Sequence, residues 1–301
     1  MVASYEVTVA ERIRSYFDDV NKSNRHSTTA IYKNYMNNYI EPYFKDVPIN
    51  ELTSELIQGL ILHLEESGLS AGTIHTIYSY IKAGLKPIIN NITADIVLPK
   101  KRKQQIDIFS PSEQERLLTA AKEIGYPVYP AVLIPLFSGL MPGELCGLMW
   151  SDFNFSLKTI RVRRTLRRVP VYNGGKAKTN IVIYEHGDDN LFRSIQLPGF
   201  LMKLMQSYKK DYQYEYILSS NGKHIEPRYL HTSFKKLLND AGIRNVNFST
   251  LRHTYAVRSM ERGIDINILS KALGYASATA MLNRYEKVLK NHKISITSKY
   301  E

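Results

Sequence analysis

The chain has 301 residues, 40 Lys+Arg against 28 Asp+Glu, a formal charge of +12 and 44% hydrophobic residues. That apolar share can build a sizeable core and excludes a wholly disordered chain, and the length suggests about two domains. A single cysteine, Cys146, excludes an internal disulfide framework and a cysteine-rich zinc site. Glu6, Glu11, Arg12, Arg14, Asp18 and Asp19 break any apolar run that a signal peptide would need. No stretch reaches the ~18 charge-free apolar residues of a membrane span. The expectation is a soluble, cytoplasmic protein without membrane attachment, whose charge calls for a polyanionic partner, most simply nucleic acid.

In chain order, the spacing of Ile31, Tyr35, Met36, Tyr39 and Tyr43 predicts a helix over 28–43 that Pro42 ends. Leu56, Leu60, Ile61 and Leu64 predict a second over 53–67, closed by Gly68. Ile74, Ile77, Tyr78 and Ile81 predict a third over 73–83. No strand signal competes, so residues 1–98 read as an all-helical domain. Lys100, Lys101, Arg102 and Lys103 follow Pro99 without hydrophobic periodicity and read as a basic linker over 99–106. Residues 1–104 hold 12 basic and 11 acidic residues, whereas 105–301 hold 28 and 17, so the field belongs to the second part.

The second domain, 107–301, opens on Ser110-Pro111-Ser112-Glu113, a capping box with proline at the first helical position. The apolar stretch from Tyr126 to Met141 reads as a buried helix over about 129–138 ended by Gly139, and another helix starts near Pro142. Residues 159–168 read as one basic strand: Ile160, Val162 and Leu166 share one face, and Arg161, Arg163 and Arg167 the other. Arginines on a strand suit a phosphate backbone, because the guanidinium fork matches phosphate oxygens. Arg161, Arg163, Arg164 and Arg167 are therefore expected on DNA with Lys100, Lys101, Arg102 and Lys103. A Gly174-Gly175 turn leads to a polar strand ending near Ile183, and 194–197 reads as a short strand. Helices follow over 200–210, 227–240, 249–262, 266–273 and 278–290.

The segment Leu136-Phe137-Ser138-Gly139-Leu140-Met141-Pro142-Gly143-Glu144-Leu145, with Trp150-Ser151-Asp152 after it, resembles the first box of the tyrosine recombinase (phage integrase) family. Leu251-Arg252-His253-Thr254-Tyr255-Ala256 resembles the second, and Leu273-Gly274-Tyr275 with Tyr285 resembles its end. The N-terminal helices are similar to the family's core-binding domain, including the helix entry at Leu69-Ser70-Ala71-Gly72-Thr73. The resemblance implies a mainly α fold with a small antiparallel sheet and a C-shaped clamp around double-stranded DNA. It implies no metal and no small-molecule cofactor. The family's tyrosine attacks a phosphodiester to give a 3′-phosphotyrosine, and fixed cations stabilise the charge gained by the phosphate.

Carried over position by position, Tyr285 fits the nucleophile, Arg252 the second arginine, and Lys178, with Lys176 as a rival, the lysine acid. Three positions depart: Met141 stands for the first arginine, Ser249 for the first histidine, and Tyr275 for the second histidine or tryptophan. A thioether cannot neutralise a phosphate, and a serine is neither base nor cation near neutral pH. Removing one transition-state donor costs roughly 10²–10³ in rate, and losses are not additive. His253, Arg258 or the 161–168 arginines are possible replacements, and His253 is also a candidate DNA contact. Thr28, Lys33, Thr73 and Thr76 are candidate groove contacts. The bland readings stand beside these: Ser249 as an N-cap, Tyr285 in the apolar stripe of Met281, Leu282, Val288 and Leu289, and Arg252 on a phosphate or an acidic neighbour. The function expected is sequence-specific DNA binding without cleavage, as in a prophage or mobile-element repressor. The alternative is an active recombinase with a diverged pocket. The tail 286–301 resembles the segment through which family members self-associate on DNA.

Overall fold

The computed structural model describes residues 7–20, 26–86, 95–101, 105–171, 178–185 and 192–291, with backbone alone at 20, 26–28, 170, 171, 178, 220 and 291. The fold is mainly α with small antiparallel sheets. The chain divides into two compact units, residues 1–104 with 169–180, and 105–168 with 181–301.

The first unit is built on α1 (Val9–Val20), α2 (His26–Tyr35), α3 (Glu41–Phe44), α4 (Ser54–Glu66) and α5 (Ala71–Leu85). The expected helices over 53–67 and 73–83 correspond to α4 and α5. Thr53 caps α4 by accepting from the Leu56 N–H at 3.3 Å, and Ser70 caps α5 through the Thr73 N–H at 3.2 Å. The expected single helix over 28–43 is instead α2, a π-helical turn (Met36–Ile40) and α3. Pro42 does not stop it. The Glu41 N–H reaches back to Met36 O, and the widened turn lets Pro42, which has no N–H to donate, begin a fresh helical turn. The sequence reading has no counterpart of α1, although Val9, Ile13 and Phe17, all buried, recur at helical spacing. Its Phe17 ring stacks on Tyr32 at 4.3 Å. At the end of this unit, Gln58 Nε2 donates to Val97 O at 3.2 Å while Gln58 Oε1 accepts from Val97 N at 2.8 Å.

In the second unit, Ser110 and Glu113 form the reciprocal capping box that opens α6 (Pro111–Ile124), with Glu113 N to Ser110 Oγ at 3.2 Å and Ser110 N to Glu113 Oε2 at 2.9 Å. The next helix, α7 (Val128–Ser138), is apolar on nearly every side and buried accordingly. It ends at Gly139 in the left-handed region (φ 69°), and α8 (Pro142–Cys146) follows. A three-stranded antiparallel sheet has the order β1 (Phe153–Asn154), β2 (Thr159–Val162), β5 (Arg193–Gln196), with Ile160 opposite Phe153 and Ile195. The expected single strand over 159–168 is two. It breaks at Arg163, and β3 (Arg164–Val171) leaves this sheet to pair with β4 (Lys178–Glu185). Gly174 and Gly175 lie outside the described residues. Then come α9 (Gly199–Asp211), the hairpin of β6 (Ser219–Ser220) and β7 (Lys223–His224), α10 (Pro227–Asp240), α11 (Thr250–Glu261), α12 (Ile266–Ala272) and α13 (Ala278–Asn291). Ala256, Val257, Leu269, Leu273, Met281 and Tyr285 form the cluster on which α11, α12 and α13 close. Among the described residues, no helix is long and apolar enough to cross a membrane.

The contact between α1 and α5 depends on Gly84, where a Cβ would stand 3.0 Å from Ile13 Cα and 3.2 Å from both Ile13 γ carbons. Gly84→Val overpacks this contact and should destabilise the protein by about 1–3 kcal/mol, read as a lower urea midpoint at unchanged slope. An unchanged midpoint would show that the two helices separate freely.

Candidate functional site

The residues of the candidate site lie on two loops and two helices of the second unit. Gly139 is required by its positive φ and by proximity: a Cβ there would stand 2.4 Å from Leu273 Cδ2 and 2.8 Å from Tyr255 Cδ1. This brings the 139–141 loop against the 273–275 loop. Arg252, on the first turn of α11, joins them. Its Nη1 donates to Gly139 O and its Nη2 to Leu273 O, both at 2.6 Å, and its guanidinium carbon lies 5.3 Å from the Tyr275 ring centre. The side chain is buried, and no carboxylate pairs with it among the described residues.

A second buried arginine reinforces the link. Arg193 on β5 makes a two-pronged ion pair with Glu144 at 2.8 and 2.9 Å and donates from Nε to Ala272 O at 2.6 Å. Its guanidinium lies over Gly274, where a Cβ would meet Nη1 at 3.2 Å. Glu144 Oε2 also accepts the Met141 N–H at 2.9 Å. Met141, expected to stand where the family has its first arginine, is fixed by its backbone, and its half-buried thioether supplies neither charge nor donor.

Tyr285 on α13 is completely buried, and its hydroxyl lies 3.0 Å from His253 Nδ1. The Tyr275 ring meets it edge-on at 6.5 Å. Burial pushes the Tyr285 phenol above its ordinary pKa and Tyr275 adds to this, against the opposing charges of Arg252 and Arg284. Burial, with the charges of Arg284 and Arg252, lowers the His253 imidazole to about 4. Near neutral pH the pair is therefore a neutral phenol beside a neutral imidazole. His253, expected as a DNA contact, is turned into the core instead. Ser249 occupies the N-cap position of α11, but with helical backbone angles (φ −62°, ψ −13°) and no capping bond from its hydroxyl, so the bland reading of it holds for position only.

The expected phosphate-facing arginines divide. Arg161, Arg163 and Arg167 are exposed, with Arg161 Nη2 on Ser151 O at 3.1 Å and Arg167 over the Tyr184 ring at 6.0 Å. Arg164 is corrected: it is buried, bonded to Asp152 at 2.8 Å and to Gly147 O at 3.1 Å, because it shares the inward parity of Ile160, Val162 and Leu166. Lys178 opens β4, but its side chain and all of Lys176 lie outside the described residues, as do Arg102, Lys103 and the Thr28 side chain. Lys100, Lys101 and Lys33 are exposed. The Thr76 hydroxyl donates to Gly72 O at 2.9 Å, and the Thr73 hydroxyl lies 2.9 Å from that of Ser70. Sequence reasoning missed Glu144, Asp152 and Arg193. The two acids stand three residues after Met141 and Met149, where a first helical turn takes a carboxylate, but nothing in the sequence marks Arg193 as the partner of Glu144.

Residues 108–292 match the model of the phage integrase family, and residues 8–64 match that family's N-terminal SAM-like domain. The chain belongs to the phage integrase family, the tyrosine recombinases. A tyrosine recombinase XerC-like protein of Caldanaerobacter subterraneus subsp. tengcongensis is 26% identical, covering 96% of this chain and 81% of that protein. Tyrosine recombinase XerA of Pyrococcus furiosus is 25% identical, over 94% of this chain and 91% of its own length. Among solved structures, the Tn1549 transposon integrase in complex with transposon right end DNA superposes with a TM-score of 0.75 at 20% identity, covering 94% of this chain and 99% of that one.

The His253 shift has a consequence for stability. In the unfolded chain the ring takes up its proton near 6.5, and in the folded chain near 4, so between these values the unfolded state holds more protons and stability falls as pH falls. The loss approaches roughly 3 kcal/mol below pH 4. His253→Gln cannot titrate. Its urea midpoint should lose less than the parent's between pH 7.5 and 4.5, and parallel curves would remove His253 as the source.

Proposed function

We propose that this chain is a sequence-specific double-stranded DNA-binding protein that keeps the recombinase scaffold and no longer cleaves DNA. The observation that carries the reading is Met141: the loop that should offer a cation to the phosphate offers a thioether on a backbone fixed by Glu144. Ser249 and the buried, uncharged Tyr285–His253 pair support it. Binding is supported by the exposed Arg161, Arg163 and Arg167, and by Arg252, a buried charge without a carboxylate among the described residues that would gain from a phosphate. Occupying an operator without cutting it suits a transcriptional repressor of a prophage or mobile element. By its place in the sequence Lys178 is the candidate for the family's lysine, and the tail after Tyr285 is a candidate route to self-association on DNA.

Duplexes selected by binding from a random pool, then nicked to trap covalent product, should give no protein–DNA adduct on a denaturing gel. An adduct that disappears in Tyr285→Phe would establish the active recombinase instead.

A second expectation concerns charge. Replacing Arg161, Arg163 and Arg167 together by Gln should weaken binding to every sequence and reduce the slope of log K against log salt by about 3. An unchanged slope would take these side chains off the phosphates.

A further inference from the structure

A cleft of about 930 Å³ opens in the second unit beside α6, α7, the start of α9 and α11 from Thr254 onward. Leu118, Leu136, Phe137, Leu197, Tyr255 and Ile264 form an apolar trough in it, among polar residues such as Gln114, Thr119 and Gln196. Phe200, 53% exposed, stands beside it with its ring edge-on to Phe137 at 5.2 Å, and Ile264 is 40% exposed. The charged residues around it are Lys122, Lys158, Arg258 and Arg262 against Glu115. Arg258 is engaged by Glu261 at 2.7 Å, whereas Lys122, Lys158 and Arg262 are exposed and have no ion pair among the described residues. An apolar trough with unneutralised cations on its edge, left open to water, marks an interaction surface.

We propose that this cleft docks an acidic, amphipathic helical segment of a partner protein, with apolar side chains in the trough and carboxylates on Lys122, Lys158 and Arg262. The charge of the trough's edge selects this occupant. The chain's own tail is a poor match, since residues 292–301 carry Lys293 and Lys299 against Glu301. DNA is a poor match for the apolar side chains of the trough. Thr254 and Tyr255 bring the cleft close to Arg252, but its cations Arg258 and Arg262 stand six and ten residues further along, about 9–15 Å along a helix.

The test uses the full chain and a fluorescent helical peptide of about four turns, with glutamates on one face and leucine and phenylalanine on the other. A matched peptide with lysine for every glutamate is the control. Fluorescence polarisation should show the glutamate peptide binding roughly tenfold or more tightly than the lysine peptide. Lys122→Glu with Arg262→Glu, and separately Ile264→Ser with Phe200→Ser, should each weaken it by a similar factor; all four positions are exposed, so the fold is kept. Absence of binding, equal binding of both peptides, or indifference to the charge reversal would overturn the proposal. So would displacement of the probe by a peptide of residues 288–301, which would give the cleft to a second copy, or by duplex DNA, which would make it part of the DNA surface.

Discussion

Two buried guanidinium groups hold the pocket together. Arg252 ties Gly139 to Leu273, and Arg193 ties Glu144 to Ala272, so the two loops around Tyr285 are cross-linked twice by charge-assisted bonds. The arginines differ in compensation. Arg193 has a carboxylate across from it and is electrically closed, whereas Arg252 among the described residues meets carbonyl oxygens and an aromatic face and no carboxylate. The arrangement of the two segments does not depend on a charged side chain at Met141, because the loop bearing that position is held by its backbone and by Glu144.

Much of this was legible before any coordinate. The capping box at Ser110, the apolar helix ending at Gly139, and α10 to α13 follow from capping residues and helical spacing, which are local signals. The break at Arg163 was not. Parity over 159–168 is satisfied by one strand or by two consecutive strands, and what separates them is pairing with β5 and β4, which are distant in sequence. Ion pairs between residues 49 apart, such as Glu144 with Arg193, leave no periodic trace. The π-helical turn before Pro42 is invisible for another reason: its cause lies in how backbone hydrogen bonds rearrange, not in which side chains recur.

The net charge of +12 resolves into populations with different tasks. Arg164 and Arg193 are internal struts, and Arg244 fastens Asp107 to Glu113 at 2.6 and 3.0 Å. Arg161, Arg163 and Arg167 face solvent from the strand region, while Lys122, Lys158 and Arg262 edge the apolar cleft. A count of lysines and arginines points to a polyanionic partner, but overstates how many cations are free to meet it.

The burial of Tyr285 bears on how such a protein evolves. A side chain that fills the α11–α13 cluster is held by packing whatever its chemistry, whereas the half-buried side chains at 141 and 249, on a loop and at a helix start, carry less of the core. A tyrosine at 285 is then weak testimony to selection for reaction. A phenol packed on a docked helix persists as structure with or without chemistry to perform.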